Sequence, residues 1–263
     1  IRRPEKYKPW VFDLEQANVH IAFVEKFCKQ PQGRLGAPLE LQLFQKARWQ
    51  AIFGFVDRGT GLRQYQEVMI VEGRKNGKTT ECAAIEIDLL VNDGEGAPEI
   101  YSIATKREQA AKSYNACVNM RKQSPALLSG IRKRQGDLYY PPNMGTISAL
   151  ASAANSLDGL NAHGVLVDEL AAIKNRQIYD DMKQSMSARE QPLLFSISTN
   201  GFVRECIFDA QYAYAAGVLE GTITDDRFLA WIYELDERDE YKDESKWIKA
   251  NPGLGTIKKV DYL

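Results

Sequence analysis

The feature that most constrains this chain is a strand, a glycine-containing loop and a helix that follow one another in its N-terminal half. Residues 67–72, EVMIVE, are apolar and rich in β-branched side chains, and this pattern predicts a strand buried inside a sheet. Residues 79–91 predict a helix, which the loop NDGEGAP ends. The connection between them carries Gly77-Lys78-Thr79, which matches the end of the phosphate-binding pattern G-x-x-x-x-G-K-[ST]. In this setting, loop N–H groups and the helix N-terminus point towards an anion.

The loop departs from that pattern in two places. The pattern asks for glycine where this chain has Glu72, and it does not ask for the basic pair Arg74-Lys75. A cation inside a loop that wraps a triphosphate would stabilise charge on the transferred phosphoryl group, so Arg74 is a candidate arginine finger within its own chain. Lys78 would reach the outer phosphates, and the Thr79 hydroxyl would ligate Mg²⁺. The alternatives are a solvated basic pair and a Lys-Thr pair that only opens a surface helix.

A second strand that ends in carboxylates strengthens this interpretation. Residues 163–169 read HGVLVDE, an apolar run followed by Asp168 and Glu169. Ligands bind at the carboxyl ends of the strands in open α/β sheets. In ATPases of this build the aspartate holds the Mg²⁺ shell and the glutamate polarises the attacking water. The alternative is an acidic helix N-cap after a core strand.

Two further segments add candidate contacts to a nucleotide. Ser198, Thr199 and Asn200, within SISTNG, follow an apolar run and can hydrogen-bond to a γ-phosphate from a neighbouring strand end. Gln45 lies in a predicted helix upstream of the loop, and its amide offers both a donor and an acceptor to an adenine edge. The alternatives are an ordinary polar turn and a surface glutamine on an amphipathic core helix.

The remaining periodicity indicates a mainly parallel α/β sheet, because apolar runs alternate with helical patterns. A β-hairpin is predicted around PPNMG, and the charge-rich chain after Thr224 indicates the far edge of the domain and the start of a linker. The further predicted strands cover residues 99–105, 163–169, 192–199 and 228–235, and the further predicted helices cover residues 13–28, 39–53 and 105–122.

Composition excludes several classes of protein. The 263 residues carry a formal net charge of -1, whereas proteins that coat nucleic acid are usually basic; a protein that contacts nucleic acid locally is still allowed. The 4 cysteines form no C-x-x-C pair and there are only 2 histidines, so a structural zinc site is not expected. The apolar runs fall well short of the roughly 20 residues that span a membrane. Because the chain begins with Ile1 instead of Met, we expect a piece of a longer protein.

These segments together resemble the ATPase domain of the large terminase subunit of tailed bacteriophages, most closely its lambdoid-type branch. The resemblance lies in PLELQLFQ, IFGF, GLRQYQEVMIVEGRKNGKTT, EIYSIATKREQA, SLDGLNAHGVLVDE and SISTNG, in that order over nearly the whole chain. It implies an α/β fold, a P-loop NTPase of the additional-strand, catalytic-glutamate type, with a mainly parallel central sheet flanked by helices. It also implies an enzyme that hydrolyses ATP with Mg²⁺.

The resemblance implies roles for individual residues. Glu169 would be the catalytic base, and Arg74 and Lys78 would be catalytic cations. Thr79 and Asp168 would hold Mg²⁺. The implied nucleotide-binding residues are Gln45, Gly73, Arg74, Lys75, Asn76, Gly77, Lys78, Thr79 and Thr80, and the implied coupling residues are Ser198, Thr199 and Asn200.

The family also implies partners and domains. Its members form a homo-oligomeric ring that threads double-stranded viral DNA through a portal protein into a preformed capsid, with a small terminase subunit, in the cytoplasm of the infected bacterium. We expect this chain to be a monomer on its own. Residues 1–60 would form a helical segment with the adenine-binding motif, residues 61–235 the ATPase core, and residues 236–263 the start of a linker towards a nuclease domain beyond Leu263.

One departure from the family and two other functions stay open. Asp158-Gly159 stands where many terminases have Arg-Gly, whose arginine is a candidate finger for the neighbouring subunit, and Arg189 is the candidate replacement. A helicase-like ATPase would need a second RecA-like domain. A nucleotide-binding interaction module, which holds ATP without turnover, would not need Glu169.

Overall fold

The computed structural model describes residues 9–104, 107–151, 159–173, 176–200 and 206–262. These residues build one large sheet with helices on both faces and a small two-stranded ribbon. The strands are β1 (Trp10–Phe12), β2 (Phe55–Asp57), β3 (Glu67–Val71), β4 (Glu99–Ala104), β5 (Arg132–Lys133), β6 (Asp137–Tyr140), β7 (Gly145–Ala151), β8 (Ala162–Asp168), β9 (Leu193–Ser198) and β10 (Phe228–Ile232). The α-helices are α1 (Leu14–Phe27), α2 (Leu43–Gly54), α3 (Lys78–Val91), α4 (Arg107–Gln123), α5 (Pro125–Gly130), α6 (Arg176–Ser185) and α7 (Ile207–Glu220).

The large sheet is mainly parallel, as the alternation of strand and helix patterns predicted. In the part of the chain that the structure describes, its order is β10-β3-β9-β8-β4-β7-β6-β5. The first six strands in this order run parallel; β6 pairs antiparallel with β7, and β5 pairs antiparallel with β6. The order places β3, β9 and β8 side by side. Their carboxyl ends, where the sequence carries its polar motifs, therefore meet at one edge of the sheet.

Alternation along β3 shows why this strand is apolar throughout. Val68 and Ile70 face the core cluster that α1 to α4 cover. Met69 and Val71 face the opposite cluster, which α6 and α7 cover. A strand with helices on both faces buries every side chain, so its sequence is a continuous hydrophobic run.

The predicted elements are confirmed, apart from boundaries. Residues 228–232, the last predicted strand, form the sheet edge beside β3. The helix predicted for residues 39–53 begins only at Leu43, so the prediction was wrong for its first turn. There the chain is extended instead: Pro38 forms an antiparallel bridge with Lys29, the N–H of Leu39 donates to the Cys28 carbonyl, and the N–H of Leu41 donates to Glu25 Oε1. Within the described ranges, none of the helices is long and apolar enough to cross a membrane.

The contact between α3 and β8 gives a test of the fold. A Cβ added at Gly164 of β8 would lie 2.8 Å from Leu89 Cδ1 and 3.2 Å from Ile100 Cγ1, both in the buried core. We expect Gly164→Ala to lower the free energy of unfolding by about 1–3 kcal/mol, as overpacking does. Chemical denaturation measures this. Gly136→Ala is the matched control, because open space surrounds Gly136; equal stability of the two variants would contradict the packing.

Candidate functional site

Three strand ends surround one cavity at the carboxyl edge of the sheet. The cavity has a volume of about 690 Å³ and is lined by residues from the β3–α3 loop, the end of β8 and the end of β9. The predicted site residues on its wall are Arg74, Lys75, Gly77, Lys78, Thr79, Thr80, Asp168, Glu169, Thr199 and Asn200.

The loop after β3 has the backbone of an anion-binding turn. Gly77 is the N-cap of α3 and has a φ of 92°, a conformation that glycine adopts without strain. Lys75 also has a positive φ, 70°, which is unfavourable for a residue with a Cβ and is often found at functional sites. Glu72 is absent from the described residues with positive φ. The backbone at position 72 therefore does not require the conformational freedom of a glycine.

Lys78 lies inside the loop, and its ammonium group donates to loop carbonyls. Its Nζ is 2.9 Å from the Gly73 carbonyl oxygen and 3.4 Å from that of Glu72. Burial lowers the pKa of Lys78, and the nearby carboxylates of Glu72, Glu169 and Asp168 oppose this effect. Lys78 is thus a partly desolvated cation at the floor of the cavity, where its attraction to an anion is strong.

Asp168 lies opposite the first turn of α3. Its Oδ2 is 3.4 Å from the hydroxyl oxygen of Thr79. Burial raises the pKa of Asp168, the charge of Glu169 raises it further, and Lys78 lowers it. A hydroxyl and a carboxylate at this separation form an oxygen-rich corner of the cavity. In the described part of the chain, no group of three or more His, Cys, Asp or Glu side chains could hold a metal ion without other ligands.

Glu169 joins the end of β8 to the end of β9. Its backbone is left-handed, with a φ of 67°, and its N–H donates to the Ile197 carbonyl at 2.8 Å. One carboxylate oxygen, Oε1, accepts from the Thr199 hydroxyl at 2.8 Å, from the Thr199 N–H at 3.2 Å and from the Ser198 hydroxyl at 3.1 Å. The predicted base and two of the three predicted coupling residues, Ser198 and Thr199, are therefore one hydrogen-bonded unit. Ser198 is 1% exposed, whereas Asn200 lines the cavity beside this unit.

Glu72, the residue at the glycine position of the pattern, belongs to a buried network of ion pairs. Glu72 pairs with the Nη2 of Arg48, and the Nη1 of Arg48 lies 3.1 Å from Oε2 of Glu81 in the first turn of α3. All three side chains are fully buried. The rings of Phe44 and Tyr233 each lie 4.9 Å from the guanidinium carbon. Burial raises the pKa of Glu72, and Arg48 opposes this most strongly.

Two loop residues that are predicted to bind the nucleotide, Gly73 and Asn76, form hydrogen bonds within the protein. The N–H of Gly73 donates to the Ala250 carbonyl at 3.0 Å. The side chain of Asn76 is buried; it donates to the Gly73 carbonyl and accepts from the Gly253 N–H at 2.9 Å. The nucleotide contact predicted at Asn76 stays a prediction for its backbone, because its side chain faces the C-terminal segment around residue 250.

Gln45 lines a second cavity, of about 520 Å³, on the other side of Gly77. It is 5% exposed, so the alternative of a surface glutamine is excluded. Apolar side chains of Leu39 and Ile257 border the same cavity. The proximity of Gln45 to the loop is direct, because its Nε2 lies 3.8 Å from the position of a Cβ at Gly77.

The structure argues against Arg189 as a finger for a neighbouring subunit. Its guanidinium group is bound to Glu95 Oε1 and to the carbonyls of Gly96, Ala97 and Asn161, at 2.9–3.1 Å. These partners precede β4 and β8, at the edge of the sheet opposite the cavity. Asp158, the position that departs from the family, lies outside the described residues.

Sequence reasoning missed Lys112 and Gln32, which also line the larger cavity. Lys112 lies on α4 and weakly lowers the pKa of Asp168 through its charge. No local pattern distinguishes Lys112 from other exposed helix lysines. Only the packing of α4 against α3 and the sheet brings it to the cavity.

Known proteins match both the sequence and the fold. The family model described as terminase large subunit, ATPase domain matches residues 43–217, and the model of the terminase large subunit endonuclease domain matches residues 222–263. The large terminase subunit of Enterobacteria phage HK97 is 30% identical over 250 residues, which are 90% of this chain and 46% of that protein. The crystal structure of the HK97 large terminase has a TM-score of 0.79 and 27% identity, over 93% of this chain and 49% of that chain.

A more distant structure shares the fold alone. The large terminase ATPase domain of Thermus phage P74-26 has a TM-score of 0.53 and 15% identity, over 83% of this chain and 90% of that chain. The chain itself spans about half the length of the HK97 protein. The range that matches the endonuclease model includes β10, which pairs with β3 inside the present sheet. The boundary predicted at residue 235 stays a prediction.

The buried network predicts a large effect on stability. Arg48→Met would leave Glu72 and Glu81 buried without a cation, and we expect it to lower the free energy of unfolding by about 3–5 kcal/mol. Replacing the whole set, as Arg48→Met with Glu72→Gln and Glu81→Gln, should recover part of the loss. Arg176→Ala is the control, because Arg176 pairs with Asp180 at the surface. Denaturant titration measures the free energy of unfolding of each variant. Equal decreases for Arg48→Met and Arg176→Ala would show that the buried network does not stabilise the fold.

Proposed function

Because the chain belongs to the terminase large subunit family and carries its ATPase domain, we propose that it hydrolyses ATP with Mg²⁺ to drive double-stranded viral DNA into a procapsid. The observation that carries this proposal is the convergence of the phosphate loop, Asp168-Glu169 and Thr199-Asn200 on one cavity, with Thr199 hydrogen-bonded to Glu169. Binding ATP needs only the loop. A carboxylate base held in register with a neighbouring strand end is needed for turnover.

The phosphates of ATP would take the place of the loop carbonyls as partners of Lys78. Loop N–H groups and the N-terminus of α3 would hold the β- and γ-phosphates. Arg74 is exposed and lines the cavity, so its guanidinium group is available to a γ-phosphate. A bidentate cation there would stabilise the charge on the transferred phosphoryl group.

The residues present fit a magnesium ion. Mg²⁺ is usually bound by one or two protein oxygens, by substrate phosphates and by water. The Thr79 hydroxyl and the Asp168 carboxylate, 3.4 Å apart, supply such oxygens beside the phosphate loop. When bound, the ion would neutralise charge on the β- and γ-phosphates.

Glu169 is the proposed general base. It would accept a proton from the water that attacks the γ-phosphorus, while the bond from that phosphorus to the β,γ-bridging oxygen breaks and ADP leaves. Its hydrogen bonds to Ser198 and Thr199 hold Oε1, so the carboxylate is already oriented by the end of β9. Thr199 and Asn200 line the cavity where the γ-phosphate would lie, and Thr199 is bonded to Glu169. Loss of the γ-phosphate would therefore change contacts at these two residues first, as their proposed role in coupling requires.

The complete protein is proposed to act with the partners of its family. These are double-stranded viral DNA, the portal protein and the small terminase subunit, with a ring of copies assembled on the capsid in the host cytoplasm. A C-terminal nuclease that cuts concatemeric DNA is part of the same proposal. A helicase-like ATPase is less well supported, because the range after residue 222 matches an endonuclease model instead of a second RecA-like domain.

The decisive experiment measures ATP turnover with and without DNA and procapsids that carry the portal. We expect both together to stimulate turnover. Glu169→Gln should remove hydrolysis and leave ATP binding nearly intact, because a glutamine still accepts the bonds from Thr199 but cannot take a proton. A helicase would respond to DNA alone. Wild-type turnover in the Glu169→Gln variant would exclude Glu169 as the base.

Arg74 is expected to act on the transition state more than on binding. Arg74→Ala should lower kcat by about 100-fold to 1,000-fold, the range for removing one stabilising donor, with a smaller change in ATP affinity. Steady-state kinetics and equilibrium binding separate the two effects. Arg132→Ala, at an exposed position on β5, should change neither. An unchanged kcat for Arg74→Ala would make the residue a bystander.

A further inference from the structure

The orientation of the Gln45 amide is fixed by two partners of opposite character. Its Nε2 donates to Oε2 of Glu81 at 3.2 Å, and its Oε1 accepts from the backbone N–H of Gln42 at 3.0 Å. A carboxylate only accepts and an N–H only donates, so a flipped amide would lose both hydrogen bonds. Burial makes such a loss costly, since Gln45 is 5% exposed.

The fixed amide has one donor and one acceptor left for a ligand. The second hydrogen of Nε2 and the second lone pair of Oε1 are not used by Glu81 or Gln42. Gln45 is on the wall of the cavity of about 520 Å³ that opens beside Gly77. The free donor and acceptor therefore lie next to the phosphate loop, where the base of a bound nucleotide would be.

This pair of groups matches adenine and opposes guanine. Adenine presents an acceptor at N7 and a donor at N6, and a glutamine amide binds both together. Guanine presents acceptors at both N7 and O6, so its O6 would meet the lone pair of Gln45 Oε1. A flipped amide would donate to O6 of guanine but would place Oε1 against N7, so one mismatch would remain. An amide that is free to flip would also be less well oriented for adenine.

We propose that Glu81 is the specificity-determining positioning residue for the base, and that Gln42 supplies the second restraint through its N–H. The proposal rests on the proposed ATP-dependent function. Glu81 is itself held by Arg48, which also pairs with Glu72 at the start of the phosphate loop. The network that replaces the loop glycine thus also orients the group that reads the base.

The test compares the affinities of the intact protein for ADP and GDP by isothermal titration calorimetry. Wild type should prefer ADP by roughly 5- to 150-fold, the range for one bidentate contact to a base. Glu81→Gln should reduce this ratio at least about threefold, because the new amide can donate as well as accept. A general loosening of the site would weaken both nucleotides and leave the ratio unchanged.

A second variant removes the other restraint without touching the buried charges. Gln42→Pro deletes the N–H, and the φ of -69° at Gln42 suits proline. It should also lower the ratio, and the two substitutions together should lower it most. Gln42→Pro keeps the test valid if Glu81→Gln does not fold. Glu15→Gln is the control, since Glu15 is an exposed carboxylate on α1 that lines neither cavity.

The outcomes separate this proposal from the function on which it rests. If wild type binds neither nucleotide, the ATP-dependent function and this inference fail together, whereas equal affinities for ADP and GDP overturn this inference alone. If wild type prefers ADP and the folded variants keep its ratio within about twofold, only the role of Glu81 and Gln42 fails. A reduced ratio in both variants, with an unchanged ratio in Glu15→Gln, supports the role of Glu81 and Gln42.

Discussion

The buried pairing of Arg48 with Glu72 and Glu81 is the constraint on which the rest of the site depends. An ion removed from water costs several kcal/mol unless it is paired and hydrogen-bonded. Meeting that requirement fixes α2 against both the end of β3 and the first turn of α3. The Tyr233 ring, which follows β10, covers the guanidinium group. Glu72, which departs from the phosphate-loop pattern, therefore helps to hold the loop in place through its pairing with Arg48.

A second constraint acts across the sheet. Because β8 and β9 are parallel neighbours, their carboxyl ends lie side by side, and Glu169 can accept hydrogen bonds from Ser198 and Thr199. The carboxylate of Glu169, the proposed base, is then oriented by a strand that is distant from it in the sequence. The ammonium group of Lys78 donates to the carbonyls of its own loop, so the loop is folded around this cation.

The C-terminal segment around residues 250–257 packs against the phosphate loop. The carbonyl of Ala250 and the N–H of Gly253 bond to Gly73 and Asn76, on the side of the loop away from the large cavity. Ile257 borders the cavity that holds Gln45. A segment predicted from its charge to be a linker thus packs against the phosphate loop, and any motion of that segment changes contacts to two loop residues.

The sequence by itself determined the order of elements and the chemistry at their ends. The short apolar runs before Glu72, Asp168 and Ser198 are strands that helices cover on both faces, which is why they do not alternate with polar residues. The polar motifs follow at their carboxyl ends, where ligands bind in parallel sheets. Only the tertiary structure decided which groups face the cavity. It turned the Asn76 side chain away, brought Lys112 in and paired Glu72 with Arg48. These contacts join residues far apart in the chain, so local periodicity carries no signal for them, and the energy of burial selects them only after the layers have packed.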